Sequence, residues 1–318
     1  MKRVLDNPHV QSLLASSTWR LRRLRQDNPV GQKSQDRILQ TPDARLLCRY
    51  TPAEQSRATG QLMVLLHGWE GRSESTYIQL LADTLYRQGV SIARLNFRDH
   101  GNTHHLNRGL FHSCRLDEVA DAVRAVQDQW QPQQLFLAGF SLGGNFAIRI
   151  NAVASEKGID LAGVFAVSPV VDPHSAMLAI EASPVYRRYF LRKWKKSLRR
   201  KQKQHPGIFS GNEWKKHRSL DALTHELILQ HTPYTQTTDY YRGYELTETV
   251  LNSLQSPTHV ITAEDDPIIP VKDFQRMEGK QNIRLLKLPK GGHCGFVMDW
   301  QGRSWVETYI SRQLQKQG

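Results

Sequence analysis

At 318 residues the chain is long enough to bury a large α/β core with room for an insertion, and its 43 Lys and Arg against 30 Asp and Glu leave a formal charge of +13. It has no run of about 18 apolar residues, which excludes a membrane-spanning helix, and its start, Met1-Lys2-Arg3-Val4-Leu5-Asp6, lacks the apolar stretch of a secretion signal. Three cysteines, Cys48, Cys114 and Cys294, are too few and odd in number for a disulfide framework and point to a reducing cytoplasm.

Strands and helices alternate along the chain. Arg37–Gln40 and Leu46–Tyr50 read as antiparallel edge strands joined through Thr41-Pro42-Asp43-Ala44. Leu62–Leu66 is an apolar strand that ends in His67-Gly68-Trp69-Glu70-Gly71, and a helical pattern follows over Thr76–Arg87. The next strand, Val90–Phe97, opens into a Gly/Asn-rich loop carrying His100, His104, His105 and His112. These histidines lack the spacing of ligands on one helix face, so a solvated loop over a site is favoured above a metal centre. A helix over Leu116–Trp130 leads to the strand Leu135–Ala138. That strand runs into Gly139-Phe140-Ser141-Leu142-Gly143-Gly144, and a helical pattern resumes over Phe146–Ser155.

Gly-x-Ser-x-Gly between a strand and a helix is the setting of an activated serine. A sharp turn strains the serine backbone and exposes its hydroxyl at the carboxyl edge of a sheet. The Leu142 N–H, at the helix start, points to where an oxyanion would form. A nucleophilic serine also needs a base and an orienting carboxylate. Beyond the strand Leu161–Val167 lies a buried strand, Thr258–Ala263, which runs into Glu264-Asp265-Asp266-Pro267. Either aspartate could be the carboxylate, the other making an Asx-type turn or a helix cap. After a helical pattern at Pro270–Met277 and a strand at Ile283–Leu288 comes Pro289-Lys290-Gly291-Gly292-His293-Cys294. His293, on a glycine-flanked loop past the last strand, can reach back over the sheet edge as general base. Cys294 has no elbow of its own and reads as packing. A final helical pattern spans Ser304–Leu314.

The near-continuous apolar strands with helical crossovers predict a mostly parallel sheet covered on both faces. Residues 171–252 break the alternation and are expected to form an inserted helical cap on a core of 1–170 and 253–318. Between Arg187 and Arg218 stand thirteen Lys/Arg and one acid, Glu213, or +12 of the total +13. Four further arginines, Arg20, Arg22, Arg23 and Arg25, leave the remainder slightly acidic. Tyr186, Phe190, Trp194 and Leu198 recur every fourth residue, one apolar stripe on a basic helix. The stripe packing on the body beneath solvated lysines is the first reading. Peripheral contact with an anionic membrane comes second and binding of anionic substrates or nucleic acid last, since no nucleic-acid-binding motif is present.

On these residues the chain resembles the α/β-hydrolase superfamily and, within it, the YheT-like group of bacterial hydrolases and their eukaryotic relatives. The resemblance covers nearly the whole chain. Its specific marks are Asn7-Pro8-His9-Val10-Gln11-Ser12-Leu13 and Asp239-Tyr240-Tyr241. Shared more widely are His67-Gly68-Trp69-Glu70-Gly71, Asn96-Phe97-Arg98, Phe111-His112-Ser113, Asp265-Asp266-Pro267 and Gly291-Gly292-His293. It implies a serine hydrolase of carboxylic esters acting on a small-molecule substrate through an acyl-enzyme, without cofactor or metal. Ser141, Asp266 and His293 fall on its triad positions, with Asp265 the alternative acid, and the N–H groups of Trp69 and Leu142 on its oxyanion hole. His67 is then a structural support behind that hole. Thioesterase or amidase chemistry with the same residues, or a non-catalytic docking protein, are the alternatives. Asp99-His100-Gly101 departs from the Arg-Gly-x-Gly of many relatives. Asp299, six residues after His293, does not fit the His-x4-Asp motif of acyltransfer.

Overall fold

The computed structural model describes residues 2–24 and 28–317, so Arg25 lies outside the described residues. Short helices α1 (Lys2–Leu5), α2 (Pro8–Ala15) and α3 (Pro29–Gln32) precede β1 (Gln35–Gln40) and β2 (Arg45–Thr51). Then come β3 (Gln61–Leu66), α4 (Thr76–Tyr86), β4 (Ser91–Leu95), α5 (Leu116–Trp130), β5 (Gln134–Phe140), α6 (Leu142–Ala152) and β6 (Leu161–Val167). Between β6 and β7, in the segment expected as a cap and so called here, lie α7 (Pro173–Ala182), α8 (Pro184–Gln204), α9 (Leu220–His231), α10 (Thr237–Arg242) and α11 (Glu248–Asn252). The chain closes with β7 (Thr258–Ala263), β8 (Ile283–Leu288) and α12 (Trp305–Gln315).

The eight strands form one sheet in the order β1-β2-β4-β3-β5-β6-β7-β8. β1 and β2 pair antiparallel, β2 joins β4 antiparallel, and every pairing from β4 to β8 is parallel. All six residues of β3 and of β7 are buried, the result of helices covering both faces. α5 buries Val119, Ala122, Val123 and Val126 on one face and directs Asp121, Arg124 and Asp128 outward, the 3.6-residue period of an amphipathic helix. One apolar layer joins α5 and α6 to the sheet, and a second joins α4 and α12 to the other face. The helix expected from Phe146 begins four residues earlier, at Leu142, directly after the serine turn. The segment expected as a helix over Pro270–Met277 is a 3-10 helix, Val271–Met277.

The cap has a small core of its own, where Leu198, Phe209, Trp214, Leu223 and Leu227 pack with Leu110 from the loop after β4. That loop corrects one expectation. His100 and His104 are buried rather than solvated, and His105 is the exposed member of the group. Its anchor is Lys201 of α8, 1% exposed, whose Nζ donates to Asp99 Oδ1 at 2.7 Å and to the carbonyls of Asn107 at 2.5 Å and Gly109 at 3.1 Å. Asp99 Oδ2 accepts the Phe111 N–H at 2.9 Å. A lysine so deep is tolerable because its ammonium is paired and hydrogen-bonded. Among the described residues no three His, Cys, Asp or Glu side chains converge as a metal site.

Candidate active site

Ser141 sits at the β5–α6 junction with φ 53° and ψ −118°, a backbone region that costs a side-chain-bearing residue on the order of 1–3 kcal/mol. The surroundings hold the turn in place. The Ser141 N–H donates to Val167 O at 2.8 Å, and the Asn145 N–H returns to Ser141 O at 3.1 Å. The flanking glycines are steric requirements: a Cβ at Gly139 would stand 2.0 Å from Gly143 O, and one at Gly143 would stand 2.4 Å from Leu66 O. The turn therefore lies directly against the end of β3, which brings Gly68 and Trp69 beside the serine.

Beyond β7, the two aspartates divide their work. Asp266, its side chain inaccessible, places Oδ2 2.9 Å from His293 Nδ1, while Oδ1 accepts the N–H groups of Ile268 at 2.8 Å and Ile269 at 3.0 Å. Asp265 instead accepts the N–H groups of Gly291 at 3.0 Å and Gly292 at 2.9 Å, pinning the loop that carries His293. Burial opposes charge on His293. Its neighbours Cys294 and the Asp266 carboxylate outweigh that burial and hold the imidazole pKa well above the ordinary 6.5. Cys294 itself is buried, its Sγ 3.8 Å from Val167 O, in keeping with a packing role.

The N–H groups of Trp69 and Leu142 have no protein acceptor among the described residues. His67 is fully buried with both ring nitrogens engaged. Nδ1 lies 2.8 Å from Gly68 O and Nε2 accepts the Phe97 N–H at 3.3 Å. Burial lowers its pKa to about 4. With no lone pair to spare it is a brace for the loop.

Ser141, Trp69 and His293 all line one cavity of about 430 Å³, roofed by the cap. The apolar stripe of α8 faces into it: Phe190 stacks on Trp69 with ring centroids 5.3 Å apart, and Trp194 meets Trp69 edge-on at 5.2 Å. Lys193 Nζ donates to Glu70 O at 3.1 Å, so α8 holds the Trp69–Glu70 loop by both stacking and a hydrogen bond. The stripe is thus cavity lining as well as packing. Glu70 also borders the cavity, where burial raises its carboxyl pKa to about 8 against the pull of Lys193.

Sequence reasoning missed the supports contributed by α2. Gln11 Nε2 donates to Leu5 O at 2.7 Å and to Val297 O at 2.9 Å, while its Oε1 accepts the Val297 N–H at 2.8 Å. Ser12 Oγ accepts the His293 N–H at 2.9 Å, and His9 Nδ1 lies 2.8 Å from Tyr186 Oη on α8. The segment Asn7–Leu13 stood out in the sequence only as a mark of resemblance. A buried glutamine with all its polar atoms paired has no signal in a single sequence.

Residues 57–294, three quarters of the chain, match the family model described as serine aminopeptidase, S33. The chain belongs to this family. It is a YheT-like α/β-hydrolase of the esterase and lipase type. Over 263 residues it is 25% identical to YheT of Escherichia coli (strain K12), named as a candidate esterase, covering 78% of this chain and 77% of that protein. It is 19% identical over 264 residues to a monoacylglycerol lipase of Saccharomyces cerevisiae, covering 80% of this chain and 58% of that one. In structure it superposes on the esterase Pf2001 of Pyrococcus furiosus with a TM-score of 0.60 at 14% identity, covering 90% and 91% of the two chains. No helix among the described residues is long and apolar enough to cross a membrane.

Proposed function

We propose that this hydrolase cleaves carboxylic esters of short- to medium-chain acyl groups, acylglycerols among them, through an acyl-enzyme on Ser141. The observation that carries the reading is the strained serine in an apolar cavity shared with His293, whose imidazole is held by a buried carboxylate. In this mechanism Ser141 Oγ attacks the ester carbonyl carbon as its proton passes to His293 Nε2. The oxyanion takes hydrogen bonds from the Trp69 and Leu142 N–H groups. The tetrahedral adduct collapses, the C–O bond to the alcohol breaks, and His293 returns the proton to the departing oxygen. Water, deprotonated by His293, then attacks the acyl carbon; the bond to Ser141 Oγ breaks, His293 returns the proton to that oxygen, and the acid leaves. Asp266 keeps Nδ1 protonated and stabilises the imidazolium, so no cofactor is required.

Aromatic and aliphatic side chains dominate the lining, among them Trp69, Phe190, Trp194, Met177 and Ile180. Such a lining favours an acyl chain over a peptide. The name of the yeast relative, a monoacylglycerol lipase, agrees with this choice, whereas the family description names a peptidase. A panel of 4-nitrophenyl esters graded in acyl length, run beside an aminoacyl anilide, tests the choice. Esters of about four to ten carbons are expected to be cleaved, and faster anilide than ester turnover would overturn it.

The same arrangement sets the pH profile. Catalysis needs neutral His293, so the rate rises as pH climbs through its pKa. Because that pKa is raised, the acid limb of kcat/KM is expected above pH 6.5. Removing the charge with Asp266→Asn lowers the imidazole pKa and should move the limb toward acid in whatever activity survives. A limb below 6 in the parent enzyme would contradict this electrostatic reading.

A further inference from the structure

The outer face of α8 is a row of cations with nothing to neutralise it. Arg188, Arg192, Lys196, Arg199 and Lys203 recur at steps of three and four residues, all exposed, and none has a carboxylate partner among the described residues. Other basic residues of the helix are occupied: Lys193 by Glu70 O, Lys195 by the carbonyls of Lys215 and His217, Arg200 by Gly101 O, and Lys201 by Asp99. At the helix's first turn Val185 continues the same outward stripe, 69% exposed, yet it also borders the cavity. Leu13 of α2 borders the cavity too and is 63% exposed. The His9–Tyr186 hydrogen bond ties α2 to the start of α8. The cavity mouth is therefore rimmed by two solvent-facing aliphatic side chains at the head of a basic helix about 30 Å long.

We propose that this face docks the enzyme on an anionic lipid bilayer, with the α8 cations against the headgroups and Leu13 and Val185 entering the acyl boundary so that the cavity opens toward the lipid. Charge complementarity selects the partner, and the aliphatic rim selects a bilayer over a nucleic acid. Single-stranded nucleic acids need exposed aromatic platforms, but Tyr186, Phe190 and Trp194 of this helix all turn into the cavity. The inference takes only its substrate, a membrane-borne acyl ester, from the proposed esterase activity. The docking itself is independent of catalysis.

The test is co-sedimentation with phosphatidylglycerol vesicles and with phosphatidylcholine vesicles, at 20 mM and 500 mM salt. The full chain is compared with a variant carrying R188Q, R192Q, K196Q, R199Q and K203Q. The parent is expected to bind phosphatidylglycerol at low salt at least tenfold better than phosphatidylcholine. High salt and the five substitutions should each remove most of that binding, since screening lengths contract as salt rises. Turnover of a small water-soluble ester should be the same in both proteins, while cleavage of monoacylglycerol embedded in phosphatidylglycerol vesicles should fall at least fivefold in the variant. Equal binding to both lipids, unchanged binding by the variant, or retention of a single-stranded RNA homopolymer in place of vesicles would each overturn the proposal. Ser141→Ala separates the two readings. It should sediment with anionic vesicles like the parent while losing ester turnover, whereas a parent protein that binds the vesicles but turns over no ester of the panel would refute the esterase reading and leave the docking intact.

Discussion

Replacing Ser141 with alanine is expected to lower kcat by at least ~10³-fold, and His293→Ala by a similar factor, because nucleophile and base act as one unit and their losses do not add. Labelling by a fluorophosphonate probe should disappear in Ser141→Ala. Parent-like turnover by that variant would end the acyl-enzyme mechanism. The two aspartates make a sharper comparison. Asp266→Asn leaves the Oδ1 contacts available but loses the charge beside His293, and a loss of ~10³-fold or more is expected. Asp265→Asn keeps one acceptor for Gly291 and Gly292, so a smaller loss, about tenfold, is expected. If Asp265→Asn is the more damaging change, the carboxylates have been assigned the wrong way round.

The largest expected effect on stability lies at Lys201. Lys201→Met would strand the Asp99 carboxylate in a site that is 8% exposed and leave the carbonyls of Asn107 and Gly109 short of a donor. Breaking a buried pair from one side costs about 3–5 kcal/mol, so the urea midpoint should fall sharply. The double change Lys201→Met with Asp99→Leu should recover part of the loss, since an apolar pair carries no unpaired charge. A single variant as stable as the parent would show that the pair does not hold the cap to the β4 loop. Burial pulls the two members toward neutrality from opposite sides, raising the Asp99 pKa and lowering that of Lys201, and their mutual contact opposes both shifts.

The strained turn at Ser141 is legible in the sequence because its determinants are local: a strand, two obligatory glycines and a helix start within a dozen residues. The place of His293, in the same cavity as Ser141, is legible through the order of elements. For the proposed acid, the place after β7 and the resemblance favour Asp266 with Asp265 the alternative, and the three-dimensional course of the Gly291–Gly292 loop gives the two aspartates different partners. The buried β4 loop was misjudged because its polar composition reads as solvent-facing. The lysine that makes its burial tolerable comes from a helix about a hundred residues away. In the same way the stripe on α8 was visible as a periodicity, whereas the division of its basic residues into tethered and free depends on carbonyls supplied by distant loops.

The α2 supports carry a consequence for how the enzyme is made. Ser12 and His293 are 281 positions apart and Gln11 and Val297 are 286 apart, so α2 adds its brace to the hold that Asp265 has on the His293 loop only by closing almost the whole polypeptide on itself. Closure entropy grows slowly with length, but such contacts must wait for the elements between them to be in place. The serine turn belongs to β5 and α6, neighbours in sequence, and can form with the central sheet. A chain emerging from the ribosome would therefore carry a shaped serine turn, the proposed nucleophile, for some time before His293, the proposed base, is fully braced. Ester cleavage during synthesis or refolding would then start last, after the helices and the sheet have already registered as folded.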